Sequence, residues 1–217
     1  MNLVVISAGT GNPSSTRQLS DRIAAKSLEQ LGPQARVSVI ELGPLAVDTA
    51  RAAVAGFPGP EVQAAIDKLA AADAIIAATP VYKAGVSGLF KTFLDVLDND
   101  LLVGKPVLLA ATGGSARHAL VIDDQMRPLF GYLRAFTLPT SVYAAPEDWA
   151  SSELGARIER AATELAALVR AGVEQQLAWS GYQHHFGGNA ARAERSEDDL
   201  DFDSPLMRLA TGGRGEA

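Results

Sequence analysis

Two segments of this chain, Ala74-Ile75-Ile76-Ala77-Ala78 and Pro106-Val107-Leu108-Leu109-Ala110-Ala111, are apolar throughout and do not alternate with polar residues. A strand of that kind is wetted on neither face, so it belongs inside a parallel sheet with helices above and below. The remaining pattern supplies both layers. Leu3–Ile6 is a β-rich run followed by small residues, and Val37–Leu42 and Phe136–Tyr143 read as further strands. Between them the spacing is helical: Leu19, Ile23, Leu28 and Leu31 up to a stop at Gly32-Pro33; Val62, Ile66 and Leu69; Leu89, Phe93, Leu94 and Leu97; Ile122, Met126, Leu129, Phe130 and Leu133; and Leu154, Ile158, Leu165 and Val169. Five strands, each followed by a helix, predict an α/β three-layer fold with a five-stranded parallel sheet. In such sheets ligands bind beyond the carboxyl ends of the strands, near the point where strand order reverses. The loops after the first, third and fourth strands are therefore the ones to inspect.

Composition narrows the class. The 217 residues include no cysteine, which excludes a disulfide scaffold, a thiolate metal site and a cysteine nucleophile. A net charge of −6 argues against nucleic-acid binding, which depends on phosphate neutralisation by Lys and Arg. Leu3–Ile6 is too short for a secretion signal or a spanning helix, so the expectation is a cytoplasmic protein that engages no membrane. Charge also divides the chain: residues 1–172 carry a net −2, whereas residues 173–217 carry −4 in far less length, with an acidic cluster from Glu194 to Asp203. The expected organisation is one domain over 1–172 and an acidic C-terminal extension over 173–217, partly disordered or ordered by a partner.

The first loop, Ser7-Ala8-Gly9-Thr10-Gly11-Asn12-Pro13-Ser14-Ser15-Thr16, leads straight into a helix. Ser7, Thr10, Ser14, Ser15 and Thr16 offer hydroxyls, Gly9 frees the backbone, and the helix N-terminus adds unpaired amides and partial positive charge, a cup suited to a phosphate. The ordinary alternative is a Ser-rich turn in which Thr16 caps the helix. The loop lacks the third glycine of a dinucleotide fingerprint and the Gly-Lys-Ser/Thr of a P-loop, so a monophosphate is preferred. The second loop, Thr79-Pro80-Val81-Tyr82-Lys83-Ala84-Gly85-Val86-Ser87-Gly88, could form a shelf for a planar ring, or be a plain strand-to-helix turn. The third, Thr112-Gly113-Gly114-Ser115-Ala116-Arg117-His118, has two glycines whose amides can approach ring carbonyls; its alternatives are a simple glycine turn and a His118 that caps or packs.

At this point the residues resemble a family. Ala78–Asp95, with Thr79-Pro80-Val81-Tyr82-Lys83-Ala84-Gly85-Val86-Ser87-Gly88 at its centre, is similar to the matching segment of the NAD(P)H-dependent FMN reductases, as is Thr112-Gly113-Gly114-Ser115 with Pro128-Leu129 downstream. The resemblance covers about residues 1–170. It implies a flavodoxin-like fold, with FMN as the flavin and NADPH or NADH as hydride donor. It further implies that the flavin phosphate lies in the first loop and the isoalloxazine between the second and third. It extends to a subfamily with a C-terminal extension whose members serve luciferase-like, flavin-dependent monooxygenases, and it implies a homodimer or a tetramer of dimers. Two departures stand out: Gly11 occupies a place where many members have Arg, with Arg17 the nearest substitute, and Val86 replaces an aromatic of some two-component members.

In that reading no side chain acts as catalytic acid or base, because the two cofactors supply the reacting atoms. The expected cofactor-binding residues are Ser7, Gly9, Thr10, Ser14, Ser15, Thr16, Pro80, Val81, Tyr82, Lys83, Ala84, Thr112, Gly113, Gly114, Ser115 and His118. The Gly113 and Gly114 amides are expected to face charge developing on the flavin. Competing functions on the same fold are a flavodoxin-type FMN electron carrier and a quinone or azo reductase. The wide apolar set Leu89, Phe90, Phe93, Leu94 and Leu97 is expected to reach a subunit interface.

Overall fold

Residues with the highest apolar content form the centre of one sheet. β1 (Asn2–Ser7), β3 (Ala74–Tyr82) and β5 (Pro106–Thr112) pair in parallel, and β2 (Arg36–Glu41) adds to the free edge of β1. Residues 1–179 are described by the computed structural model; the acidic cluster Glu194–Asp203 and the apolar Leu200, Phe202, Leu206, Met207 and Leu209 lie outside them. Alternate residues of the central strands enter opposite cores. Val4, Ile6, Ile75, Ala77, Val107 and Leu109 pack in one cluster, and Leu3, Val5, Ala74, Ile76 and Leu108 in the other. The first core is closed by α2 (Leu42–Ala55), α3 (Pro60–Ala70), α4 (Gly88–Asp95) and α5 (Arg127–Tyr132). The second is closed by α1 (Ser15–Leu31) and α6 (Ser152–Arg170). Both faces of the sheet are covered, which is the condition that the uninterrupted apolar runs impose.

Strand order is β2-β1-β3-β5, with the short β6 (Phe136–Thr137) beyond β5. The chain moves outward from β1 to β2, then crosses back past β1 to β3 and continues the other way. Order therefore reverses between β1 and β3, and their carboxyl ends diverge into the first and second loops.

Four elements differ from their sequence reading. The strand expected over 37–42 ends at Glu41, and Leu42 opens α2, a helix that an Ala- and Gly-containing sequence with few large residues does not announce. β3 runs on through Tyr82 and turns into a short antiparallel strand, β4 (Gly85–Val86). The single strand expected over 136–143 is split into β6 (Phe136–Thr137) and β7 (Val142–Ala144), both paired with β5. Pro139 between them brings no N–H to a ladder, and the displaced Thr140 instead gives its N–H and hydroxyl to the Glu164 carboxylate at 2.9 and 2.6 Å. Finally, residues 122–126 form a π-turn ahead of α5, with the Arg127 N–H on the Ile122 carbonyl. Pro128 cannot donate to an α-helical ladder and its ring crowds the turn before it, which favours the wider spacing.

Phe90, Phe93, Leu94 and Leu97 are all buried within the chain, and Phe90 meets Phe130 at a ring separation of 6.3 Å. The apolar surplus read from this segment is thus absorbed by the first core, leaving only the partly buried Leu89 near the surface. Among the described residues no helix is long and apolar enough to cross a membrane.

Beyond α6 the chain turns at Gly172 and forms α7 (Val173–Trp179) against the amino ends of the strands. Gly104 permits this approach: its φ is +71°, and a Cβ there would lie 3.1 Å from the Leu177 side chain. The buried Lys105 ammonium donates to the carbonyls of Ala70 and Ala72, at 3.0 and 2.8 Å, and to Glu174 at 2.6 Å. Its three protons therefore have three acceptors, one of them the charge that balances it. Glu174→Ala should lower unfolding stability by about 1–3 kcal/mol in a urea titration, because a buried cation then keeps only neutral partners. Ligand affinity at the opposite end of the sheet should be unchanged.

Candidate functional site

The loop after β1 is pinned at both ends. The Ala8 N–H donates to the Ala78 carbonyl at 3.0 Å, continuing the β1–β3 ladder. Ser14 caps α1 by accepting the Arg17 N–H at 3.1 Å, so the cap falls to Ser14 and not to Thr16. Gly9 is required by this fold of the loop, since a Cβ would sit 2.0 Å from the Ser14 hydroxyl oxygen. The first-turn amides of Ser15 and Thr16 have no acceptor within the helix and carry the positive end of its dipole. Thr16 is buried, and its hydroxyl lies 2.7 Å from that of Thr112 at the end of β5. One hydroxyl pair thus ties the first loop to the third.

Arg17 does not stand free beside the loop. Its guanidinium binds Asp21 at 2.7 Å and also Glu41, and these contacts, Asp21 foremost, hold its pKa above the usual value. It lines an adjoining cavity of about 640 Å3 with Gln18, Glu41, Gly43 and Pro44, on the outer side of the same loop.

The second loop is organised by a buried pair of hydroxyls. Thr79 accepts the Ser87 N–H at 3.1 Å, and Ser87 caps α4 by accepting the Phe90 N–H at 3.1 Å. Between these fixed points β3 and β4 make a two-residue hairpin whose turn residues, Lys83 and Ala84, have φ of 52° and 64°. Such left-handed pairs define a type I′ turn, usually built from Asn and Gly.

In the third loop the Gly113 N–H is already committed to the Ala144 carbonyl at 3.2 Å. A Cβ at Gly113 would fall 2.1 Å from the Tyr143 hydroxyl, which donates to the Ser115 carbonyl at 2.7 Å. Gly114 is exposed and has nothing within 4 Å of an added Cβ.

These loops enclose a cleft of about 320 Å3, at the small end of the range for cofactor-sized sites. Of the residues singled out in the sequence, Gly9, Thr10, Ser14, Ser15 and Thr16 line it from the first loop. Pro80, Val81 and Tyr82 line it from β3, and Thr112, Gly113 and Gly114 from the third loop. Five others do not line it. Ser7 is buried beneath the loop, its hydroxyl without a partner among the described residues; Lys83 and Ala84 form the exposed hairpin turn; the Ser115 carbonyl is held by Tyr143; and His118 accepts a hydrogen bond from Arg117 at 3.2 Å. Gly11, Pro13 and Pro146 complete the lining. Pro146 follows β7, so the carboxyl-edge rule applied to the fifth strand would have pointed to it. Tyr143 gave no sequence signal, because its role arises from the approach of β7 to Gly113.

Among the described residues no charged side chain lines the cleft. It offers hydroxyls, backbone amides, a helix N-terminus and apolar walls.

The family model for NADPH-dependent FMN reductases matches residues 1–150. An FMN reductase (NADPH) from Pseudomonas aeruginosa is 40% identical over 171 residues, covering 76% of this chain and 91% of that protein. The NADH-dependent FMN reductase SfnE from Pseudomonas putida is 39% identical over 184 residues, covering 85% and 95%. Among solved structures, an oxidoreductase from Corynebacterium diphtheriae superposes with a TM-score of 0.76 at 44% identity, covering 78% of this chain and 97% of that one.

Tyr143 provides a test of the third loop. Burial, with the nearby Glu147 and Asp148 charges, raises its phenol above the ordinary value of 10. The unfolded chain therefore ionises first as pH rises, so stability from this group is constant below about pH 10 and is lost above it. Tyr143→Phe should cost about 1 kcal/mol at neutral pH through the Ser115 bond. It should also flatten the alkaline decline in a series of unfolding curves from pH 8 to 11.

Proposed function

The chain belongs to the NADPH-dependent FMN reductase family, and from that premise we propose how its own residues carry the reaction. The family has the fold described above and uses FMN with NADPH or NADH. The observation that carries the residue assignment is the Thr16–Thr112 hydroxyl bond, which brings a phosphate-type loop and a glycine loop to one uncharged cleft.

The donor set fits FMN. A phosphate dianion matches the unpaired Ser15 and Thr16 amides and the exposed Thr10 and Ser15 hydroxyls, with the α1 dipole supplying the positive potential. Pro80, Val81 and Tyr82 offer a wall for a planar ring, and Gly114 lines the cleft from the third loop. Gly113 serves differently from its sequence reading, since its N–H holds β7 in place. When bound, FMN accepts the hydride that the nicotinamide releases. The protein's part is to fix the phosphate end, exclude water from the ring, and present neutral donors where negative charge develops.

Four finer assignments belong to the same reading. The hydride donor is either nucleotide, as supported by relatives named for NADPH and for NADH. The segment from residue 173 is an addition to the 1–172 reductase domain, anchored by Lys105–Glu174, and the reduced FMN goes to a flavin-dependent monooxygenase. The working unit is a homodimer or tetramer, supported by exposed Leu120 and Tyr132 flanking the π-turn and by exposed Tyr82.

Two measurements test this. NADPH or NADH oxidation should accelerate with added FMN and saturate; faster turnover with a quinone than with FMN, or no reduction by either nucleotide, would refute the assignment. Replacing Thr10 and Ser15 together with Ala should weaken FMN binding by roughly 1.5–3 kcal/mol for each bond lost to the dianion, read by titration. Unchanged affinity would move the phosphate elsewhere.

A further inference from the structure

The hairpin that ends β3 is the least self-sufficient part of the cleft wall. It is held by two residue pairs, Val81–Val86 and Tyr82–Gly85. Its turn also places two residues with side chains, Lys83 and Ala84, in the left-handed region. A ribbon this short does not hold itself in water, and Cβ atoms at both turn positions add to its cost. Yet Val81 and Tyr82 form one side of the cleft, so their placement depends on whatever fixes the turn.

Gln125, on the π-turn 122–126, is what reaches it. Its Oε1 accepts the Val86 N–H at 3.0 Å and its Nε2 donates to the Ala84 carbonyl at 3.3 Å. A carboxamide carries the same donor and acceptor as a peptide unit, so Gln125 serves the outer edge of the hairpin as a third strand would. Gly85 permits the contact: an added Cβ would lie 3.1 Å from Oε1 and 3.6 Å from Nε2. We propose that Gln125 is a positioning residue for the reaction, acting through the hairpin to set the Val81–Tyr82 wall of the cleft. This rests on the reductase reading above for its effect on turnover, but not for its effect on the hairpin.

The variant Gln125→Met keeps length and removes both hydrogen bonds; Gln125→Glu keeps the acceptor for Val86 and opposes a carboxylate to the Ala84 carbonyl. In the full-length, flavin-free protein, hydrogen exchange at the Val86 amide should speed up tenfold or more in Gln125→Met, with less change in Gln125→Glu and the global melting temperature kept. With FMN and NADPH or NADH, the Michaelis constants should rise severalfold while kcat moves less than twofold. A turn that favours type I′ by itself, Lys83→Asn with Ala84→Gly, should shrink the effect of Gln125→Met to under twofold relative to its own parent. Unchanged Val86 exchange overturns the clamp. Faster exchange with unaltered Michaelis constants overturns its role in positioning, as does an equal loss in both turn backgrounds. A wild-type protein that reduces FMN with neither nucleotide defeats the reductase reading instead, and the Val86 exchange still decides the clamp.

Discussion

Everything in this molecule follows from three strands that tolerate water on neither face. Because β1, β3 and β5 are apolar on both sides, helices must cover the sheet twice, and polar groups are excluded from its interior. The places left for chemistry are the strand ends. At the amino ends one cation, Lys105, is accepted at the price of three acceptors and is used to fasten α7. At the carboxyl ends the polar residues that remain are hydroxyls and glycines, and they become the cleft.

The cleft is assembled by buried hydroxyls more than by charges. Thr16 meets Thr112 between the loops that follow β1 and β5, Thr79 meets Ser87 at the base of the hairpin, and Tyr143 holds Ser115 over Gly113. The first and the last join residues far apart in sequence, and buried polar groups of this kind are costly to leave unpaired. The first ties two loops together, the second braces the hairpin within its own loop and the third fixes the glycine loop on β7, while among the described residues the amides of Ser15, Thr16 and Gly114 stay uncommitted. Rigid neutral donors suit a reaction in which hydride passes between two cofactors and no side chain must titrate. Arg17, beside the loop after β1, pairs with Asp21 and Glu41, so the positive potential at that loop comes from the α1 helix dipole.

Much of this was legible beforehand, for reasons that differ by element. Long apolar runs and 3.6-residue spacing are local signals, so the layers, the parallel sheet and the loops after β1, β3 and β5 could be read directly. α2 was missed because Leu42, Thr49 and Ala52 give too sparse a stripe. The break between β6 and β7 was missed because Pro139 interrupts a run whose composition remains strand-like. The apolar breadth of α4 looked like an interface, yet the packing of Phe90 on Phe130 and of Leu94 and Leu97 in the first core uses it inside the chain.

The sequence by itself determined which residue types stand at the carboxyl edge: hydroxyls and glycines after β1, Pro-Val-Tyr after β3, a glycine pair after β5. Those choices are local, and a reader of the chain can see them. Tertiary structure alone decided which of them face the cleft. Ser7 and Ser14 share a loop, but one is buried beneath it and the other caps a helix. Gly113 and Gly114 are neighbours, but β7 claims the first amide and leaves the second open. Lys83 and Ala84 leave the cleft because the hairpin turns away, held there by Gln125 from a helix some forty residues on. Such outcomes depend on contacts between segments far apart in the chain, where periodicity and propensity carry no information.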